Sequence, residues 1–216
     1  MMNQKDILFL FKSFVLLVFS FSTINAMKVN IVEGLPYVDV DVNGENIRIQ
    51  RIQDVKHKLK NSYTKTSRPT EPFDIQPFEP IKGVKTISEL DVIDFIKEQI
   101  SENEGLLIDA RMPKWYKMGT IPGALNVPFS ILLGDKENSF IESIFTLFGA
   151  NKDNNKWYFN DAQTLLVFDN GPWSRQGVAA MGNLIRLGYP KNKILYYRGG
   201  MQYWQIVGLT TIKPKD

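Results

Sequence analysis

The segment Leu165-Leu166-Val167-Phe168-Asp169-Asn170-Gly171-Pro172-Trp173-Ser174-Arg175 runs from an apolar quartet through a Gly-Pro turn toward Gln176. Consecutive apolar residues bounded by turn formers read as a strand buried on both faces, as in parallel sheets. A tight turn from such a strand into a helix converges several backbone N–H groups, backed by the positive end of the helix dipole. The expected product is an anion cradle over residues 169–175.

The flanking sequence carries the strand and helix pattern in both directions. Downstream, residues 176–187 read as a helix closed by Gly188, residues 194–197 as a strand, Arg198-Gly199-Gly200 as a turn and residues 201–207 as a last helix. Upstream, a capping box of Thr86 and Glu89 opens a helix with apolar positions Leu90, Ile93, Phe95, Ile96 and Ile100. Residues 106–108 read as a strand ending at Asp109, 113–118 as a short helix, 124–127 as a strand and 140–148 as a helix. This order predicts an α/β fold, a mostly parallel sheet flanked by helices on both faces. Ligands of such sheets bind at the carboxyl ends of the strands. Three segments stand there: Asp109 with Arg111, residues 169–175, and Arg198 with Gly199 and Gly200.

The N-terminal third differs in character. Lys5 precedes an apolar stretch, and small or polar residues follow up to Ala26, so residues 1–26 read as a cleaved signal peptide. The apolar core, residues 13–21, is short for a span of about 20 apolar residues. The expected location is periplasmic or secreted, with membrane attachment only if the signal segment stays uncleaved. Lipid anchoring through a lipobox is excluded, because it needs a cysteine. Residues 37–50 alternate as a β-hairpin, with Asn43-Gly44 at the turn. Residues 54–80 are polar and then proline-rich, an extended arm whose Phe73, Ile75 and Phe78 are expected to dock on the following domain. The expected organisation is thus a signal (1–26), a hairpin with an arm (27–80) and an α/β domain (81–216).

Composition narrows the chemistry. The 26 basic and 23 acidic residues are mixed in sign along the chain, which favours solubility over nucleic-acid binding. There is no cysteine, which removes thiolate nucleophiles, persulfides, disulfides, iron–sulfur clusters and thiolate zinc sites together. The single histidine, His57, lies in a lysine-rich stretch and reads as a solvated surface residue, so a His-based triad or multi-His metal site is not expected. No metal and no cofactor are expected.

Four motifs carry a resemblance. Leu106-Leu107-Ile108-Asp109-Ala110-Arg111 and Gly119-Thr120-Ile121-Pro122-Gly123-Ala124-Leu125-Asn126-Val127-Pro128 resemble the first half of a rhodanese domain. Leu187-Gly188-Tyr189 and Tyr197-Arg198-Gly199-Gly200-Met201-Gln202-Tyr203-Trp204 resemble its second half. The resemblance places Asp169 where sulfur-transferring members carry their catalytic cysteine. A sulfane sulfur needs a soft thiolate that holds it as a persulfide, and a hard carboxylate forms none. The chain is most similar to exported bacterial members whose loops resemble Cys-x-Gly-Pro-x-Cys and whose arm holds a second cysteine pair. Asp169 and Ser174 in the loop, with Thr70 and Asp74 in the arm, stand at those four positions.

The resemblance implies a rhodanese-like module without classical sulfurtransferase activity, binding an unknown periplasmic protein or a small anion in a sulfur or redox system. Two alternatives stand beside it. One is a cysteine-independent enzyme acting on an oxyanion or phosphoester through Asp169 as nucleophile or base; the other is an assembly partner using the N-terminal arm. Asp169 is expected to accept hydrogen bonds from the loop formed by Asn170, Gly171, Pro172, Trp173, Ser174 and Arg175. Arg175 is expected to pair with Asp169 or face solvent, and Trp173 to be exposed enough to touch a partner. Arg198, Gly199 and Gly200 are expected to form a pocket wall, and Asp109 with Arg111 a buried structural pair. A cysteine in place of Asp169 is expected to have a lowered pKa in the amide cradle.

Overall fold

The computed structural model describes residues 29–42, 44–134 and 139–214. The expected signal peptide and Asn43 of the hairpin turn therefore lie outside the described residues. Strands β1 (Tyr37–Val42) and β2 (Glu45–Gln50) pair antiparallel as the expected hairpin, with Val40 and Ile49 buried. Gly44 takes φ +81 at the turn, the left-handed region a side chain disfavours.

A five-stranded parallel sheet forms the centre. It comprises β3 (Lys85–Ile87), β4 (Gly105–Asp109), β5 (Ala124–Asn126), β8 (Thr164–Phe168) and β9 (Ile194–Tyr197), in the order β3-β9-β8-β4-β5. The short strands β6 (Asn151–Asp153) and β7 (Lys156–Tyr158) form a separate hairpin, which the polar sequence did not announce.

The pleat explains the apolar quartet. Leu165 and Val167 face one core layer with Ile108, Ile194 and Tyr196; Leu166 and Phe168 face the other with Leu107 and Tyr197. All four quartet residues are fully buried, each contributing about 1.5–3 kcal/mol. The first layer is closed by helices α3 (Ser139–Leu147) and α4 (Gln176–Arg186), through Ile141, Phe145, Ala180, Met181 and Leu184. The second is closed by α1 (Glu89–Phe95) and α5 (Gly200–Ile206), with the hairpin's Val40 and Ile49. A short helix α2 (Pro113–Lys117) follows β4. The sheet is thus flanked by helices on both faces.

The capping expectation shifts by two residues. Thr86 belongs to β3, where Lys85–Ile87 pairs with β9, and its hydroxyl donates to the Phe78 carbonyl. Sheet pairing delays the helix, so Ser88 and Asp91 form the capping box instead. Past Phe95 the chain continues through Ile96–Ile100 in a wider π turn.

Register brings the three expected segments together. Asp109 aligns with Phe168, and Phe168 with Tyr197, so the chain after β4, β8 and β9 emerges side by side at one sheet edge.

Candidate functional site

After β8, the Asp169 side chain turns back into the protein and is fully buried. Its Oδ1 accepts from the Gly171 N–H at 3.0 Å and its Oδ2 from the Gly177 N–H at 2.6 Å. The Ser174 hydroxyl accepts from the Gln176 N–H at 3.4 Å. Gly177 is the second residue of α4, so the carboxylate caps that helix from inside, and the amide cradle is occupied by the chain's own side chain. Burial pushes the Asp169 pKa up from 3.8 to about 6, against the opposing hydrogen bonds from Gly177 and Gly171.

For Asp169 the cradle's amides favour the anion, but exclusion from water outweighs them. A cysteine at this position would be subject to the same two opposing effects.

The glycine turn seals the floor. Gly200 has φ +54, and a Cβ there would lie 2.5 Å from the Asp169 carbonyl and 2.7 Å from the Gly171 nitrogen. The backbones therefore touch: the Met201 N–H donates to the Asp169 carbonyl and the Gln202 N–H to the Asn170 carbonyl. Gly199 and Gly200 lie against the loop backbone, whereas Arg198 donates to the Gln76 and Pro77 carbonyls of the arm.

The arm occupies the remaining side. The Gln76 N–H donates to the Pro172 carbonyl at 2.8 Å. Arg175 pairs with Asp74, its Nη2 standing 2.7 Å from Oδ2, rather than with Asp169. Trp173 is half-buried: Phe73 meets its ring edge-on at 5.3 Å, the Arg68 guanidinium lies 3.6 Å from its centroid, and its indole N–H donates to Gln202. The expected partner-facing tryptophan is thus covered by the arm. Of the three apolar arm residues, only Phe73 docks; Ile75 and Phe78 are exposed at 84% and 65%. The bonds of Asp74 and Gln76 fix the strap so that Gln76, not its apolar neighbours, turns inward.

Tyr63, from a 3-10 turn of the arm, was not among the sequence candidates. Its hydroxyl donates to Asn170 Oδ1 at 2.9 Å and accepts from Arg111 Nη1 at 3.0 Å. Arg111 also holds Asp109 through Nη2 at 2.5 Å and the Gly119 carbonyl at 2.8 Å, and the Thr120 hydroxyl donates to Asp109 at 2.7 Å. Burial alone would lower the Arg111 pKa, but hydrogen bonds and charge from Asp109, with help from Tyr63, hold it above its ordinary value. The expected Asp109–Arg111 pair is therefore one end of a buried chain that reaches the loop at Asn170.

The rhodanese-like domain model matches residues 93–206, more than half of the chain, and spans all three loop segments. The chain belongs to the rhodanese-like domain family. Within this rhodanese-like fold, the position after β8 is Asp169 and no cysteine stands anywhere in the sequence. Among solved structures, the chain is similar to a thiosulfate sulfurtransferase from Pseudomonas aeruginosa, at 17% identity and TM-score 0.44, over 64% of this chain and 22% of that one. It is also similar to the human single-domain sulfurtransferase TSTD1, at 24% identity and TM-score 0.38, over 56% of this chain and 95% of that one. A Rhodopseudomonas palustris protein described as a possible tyrosine phosphatase is 18% identical, with TM-score 0.42, over 62% of this chain and 85% of that one. The chain therefore spans less than a quarter of the Pseudomonas protein. No curated protein sequence matches it.

Proposed function

We propose that this rhodanese-like protein does not transfer sulfur and acts as a binding module that meets a protein partner at the loop face. One observation carries this reading: the Asp169 carboxylate takes the Gly171 and Gly177 amides itself and is fully buried. A free small anion would have to displace a carboxylate tethered at the cradle and add charge beside it. The same burial counts against Asp169 as a nucleophile or base, since a reacting group must come within hydrogen-bond reach of its substrate. Open to a partner are the outer surface of the arm, with Ile75 and Phe78 exposed, and the depression that Phe73, Phe129, Ser174, Arg175 and Gln176 line at the loop.

Purified protein assayed with thiosulfate and cyanide is expected to give no thiocyanate above a mock preparation; clear turnover would overturn the reading. We place the protein outside the cytoplasmic membrane on the strength of residues 1–26 alone. The mass of the chain recovered from a periplasmic fraction should correspond to a start at Met27. Recovery of only full-length chain from the cytosol would refute export.

A further inference from the structure

The balanced net charge of the whole chain hides a local imbalance. Between residues 51 and 60 stand Arg51, Lys56, Lys58 and Lys60, with Asp54 the sole acidic residue. Lys56, His57, Lys58 and Lys60 are all exposed and line one depression with Asp54, Leu59 and Asn61. Among the described residues, no ion pair engages Lys56, Lys58 or Lys60. Asp54 uses its Oδ1 to accept from the Lys56 backbone N–H at 2.9 Å.

Exposed apolar side chains occur within the same stretch of sequence and in residues 29–35 beside it. Val55 is 75% exposed, and Ile52, Val32 and Leu35 are also exposed. Residues 29–35 are fixed beside residues 51–53: the Gln53 amide donates to the Val29 carbonyl at 2.8 Å and accepts from the Val29 N–H at 3.3 Å, while Arg51 donates to the Asn30 carbonyl at 3.4 Å. Val29, the first described residue, thus lies beside this basic stretch.

We propose that residues 29–35 and 51–60 form a docking face for an anionic lipid bilayer. Lysines interleaved with exposed aliphatic side chains suit an interface where cations meet headgroup phosphates and short apolar groups enter the headgroup region. An acidic protein groove would satisfy the lysines but gives no reason for an exposed Val55.

The chain's lack of cysteine makes a site-specific test direct. Full-length protein is mixed with vesicles of phosphatidylcholine alone, or with about a third phosphatidylglycerol, at low salt; the ratio of the two partition constants removes any contribution of the apolar run 13–21 itself. Each lysine near an anionic surface raises binding roughly five-fold. The anionic vesicles should therefore bind at least about ten-fold better than the neutral ones. The triple variant Lys56→Gln, Lys58→Gln, Lys60→Gln should lose that preference, and raised salt should remove it. An environment-sensitive dye on Val55→Cys should shift to the blue on anionic vesicles, while the same dye on Asp153→Cys in the β6–β7 hairpin should not. Equal binding to both vesicles, a preference that survives the triple substitution, or a silent dye at position 55 would each overturn the proposal. Tight, lysine-dependent binding to polyglutamate without binding to anionic vesicles would assign the face to an acidic protein and also overturn it.

Discussion

Replacing Arg111 with methionine should cost about 3–5 kcal/mol of folding stability, because it strands a buried carboxylate. Arg111 and Asp109 are 1% and 0% exposed, and among the described residues Arg111 is the cation in contact with Asp109. The loss also leaves the Gly119 carbonyl without the Arg111 donor and removes a donor from the Tyr63 hydroxyl, the arm's link to Asn170. Urea unfolding followed by fluorescence reads the effect. Adding Asp109→Asn should recover part of the loss, since the second substitution removes the orphaned charge. A loss below about 1 kcal/mol, the range of exposed pairs, would mean that the pair is solvated and the chain from Thr120 to Asn170 does not hold the loop.

The second large effect depends on pH. Folded Asp169 holds its proton more tightly than the unfolded chain, its pKa rising from 3.8 to about 6. The contribution from this group is therefore fully present below pH 3.8 and is lost as pH rises through about 6. The rise corresponds to about 3 kcal/mol. Asp169→Asn removes the titration, keeps one oxygen for the Gly177 N–H and sets an amide against the Gly171 N–H. The variant should thus be the less stable of the two at pH 4, and its stability relative to wild type should improve by about 2.4 kcal/mol by pH 7.5. A difference that is flat between pH 4 and 7.5 would contradict burial of an ionisable group here.

Much of this architecture was legible because the physics is local. The quartet 165–168 can be buried on both faces only in a covered sheet, and the Gly-Pro turn into Gln176 leaves little choice about where the amides point. The motifs around Asp109, Gly123 and Gly199 carried the family resemblance. The expectation that Asp169 caps its own loop rested on the same geometry, and its hydrogen bonds to Gly171 and Gly177 follow that pattern.

What escaped the sequence was non-local. Thr86 with Glu89 is a sound local capping signal, yet pairing of Lys85–Ile87 with β9 moved the helix start to Ser88. The arm has no period, so its apolar residues were the natural anchors. Of these only Phe73 docks, and the polar Tyr63, Asp74 and Gln76 anchor the arm with it, Tyr63 and Asp74 through loop partners more than 90 positions away. Tyr63 had one available signal, a single aromatic in a run of polar residues from Asn61 to Arg68. Burial depth was equally invisible, and it decides the sign of the Asp169 shift: loop amides alone would have lowered it.

We propose that the cradle of this rhodanese-like fold, filled by the buried Asp169 carboxylate, is closed to exogenous anions. The Asp169 side-chain carbonyl carbon, resolved by selective carbon-13 labelling and NMR, tests it most directly when followed over pH with and without excess thiosulfate. The predicted result is a titration near pH 6 that thiosulfate does not displace. A titration at or below 3.8, or one that moves when thiosulfate is added, would show a solvated carboxylate beside an open anion site.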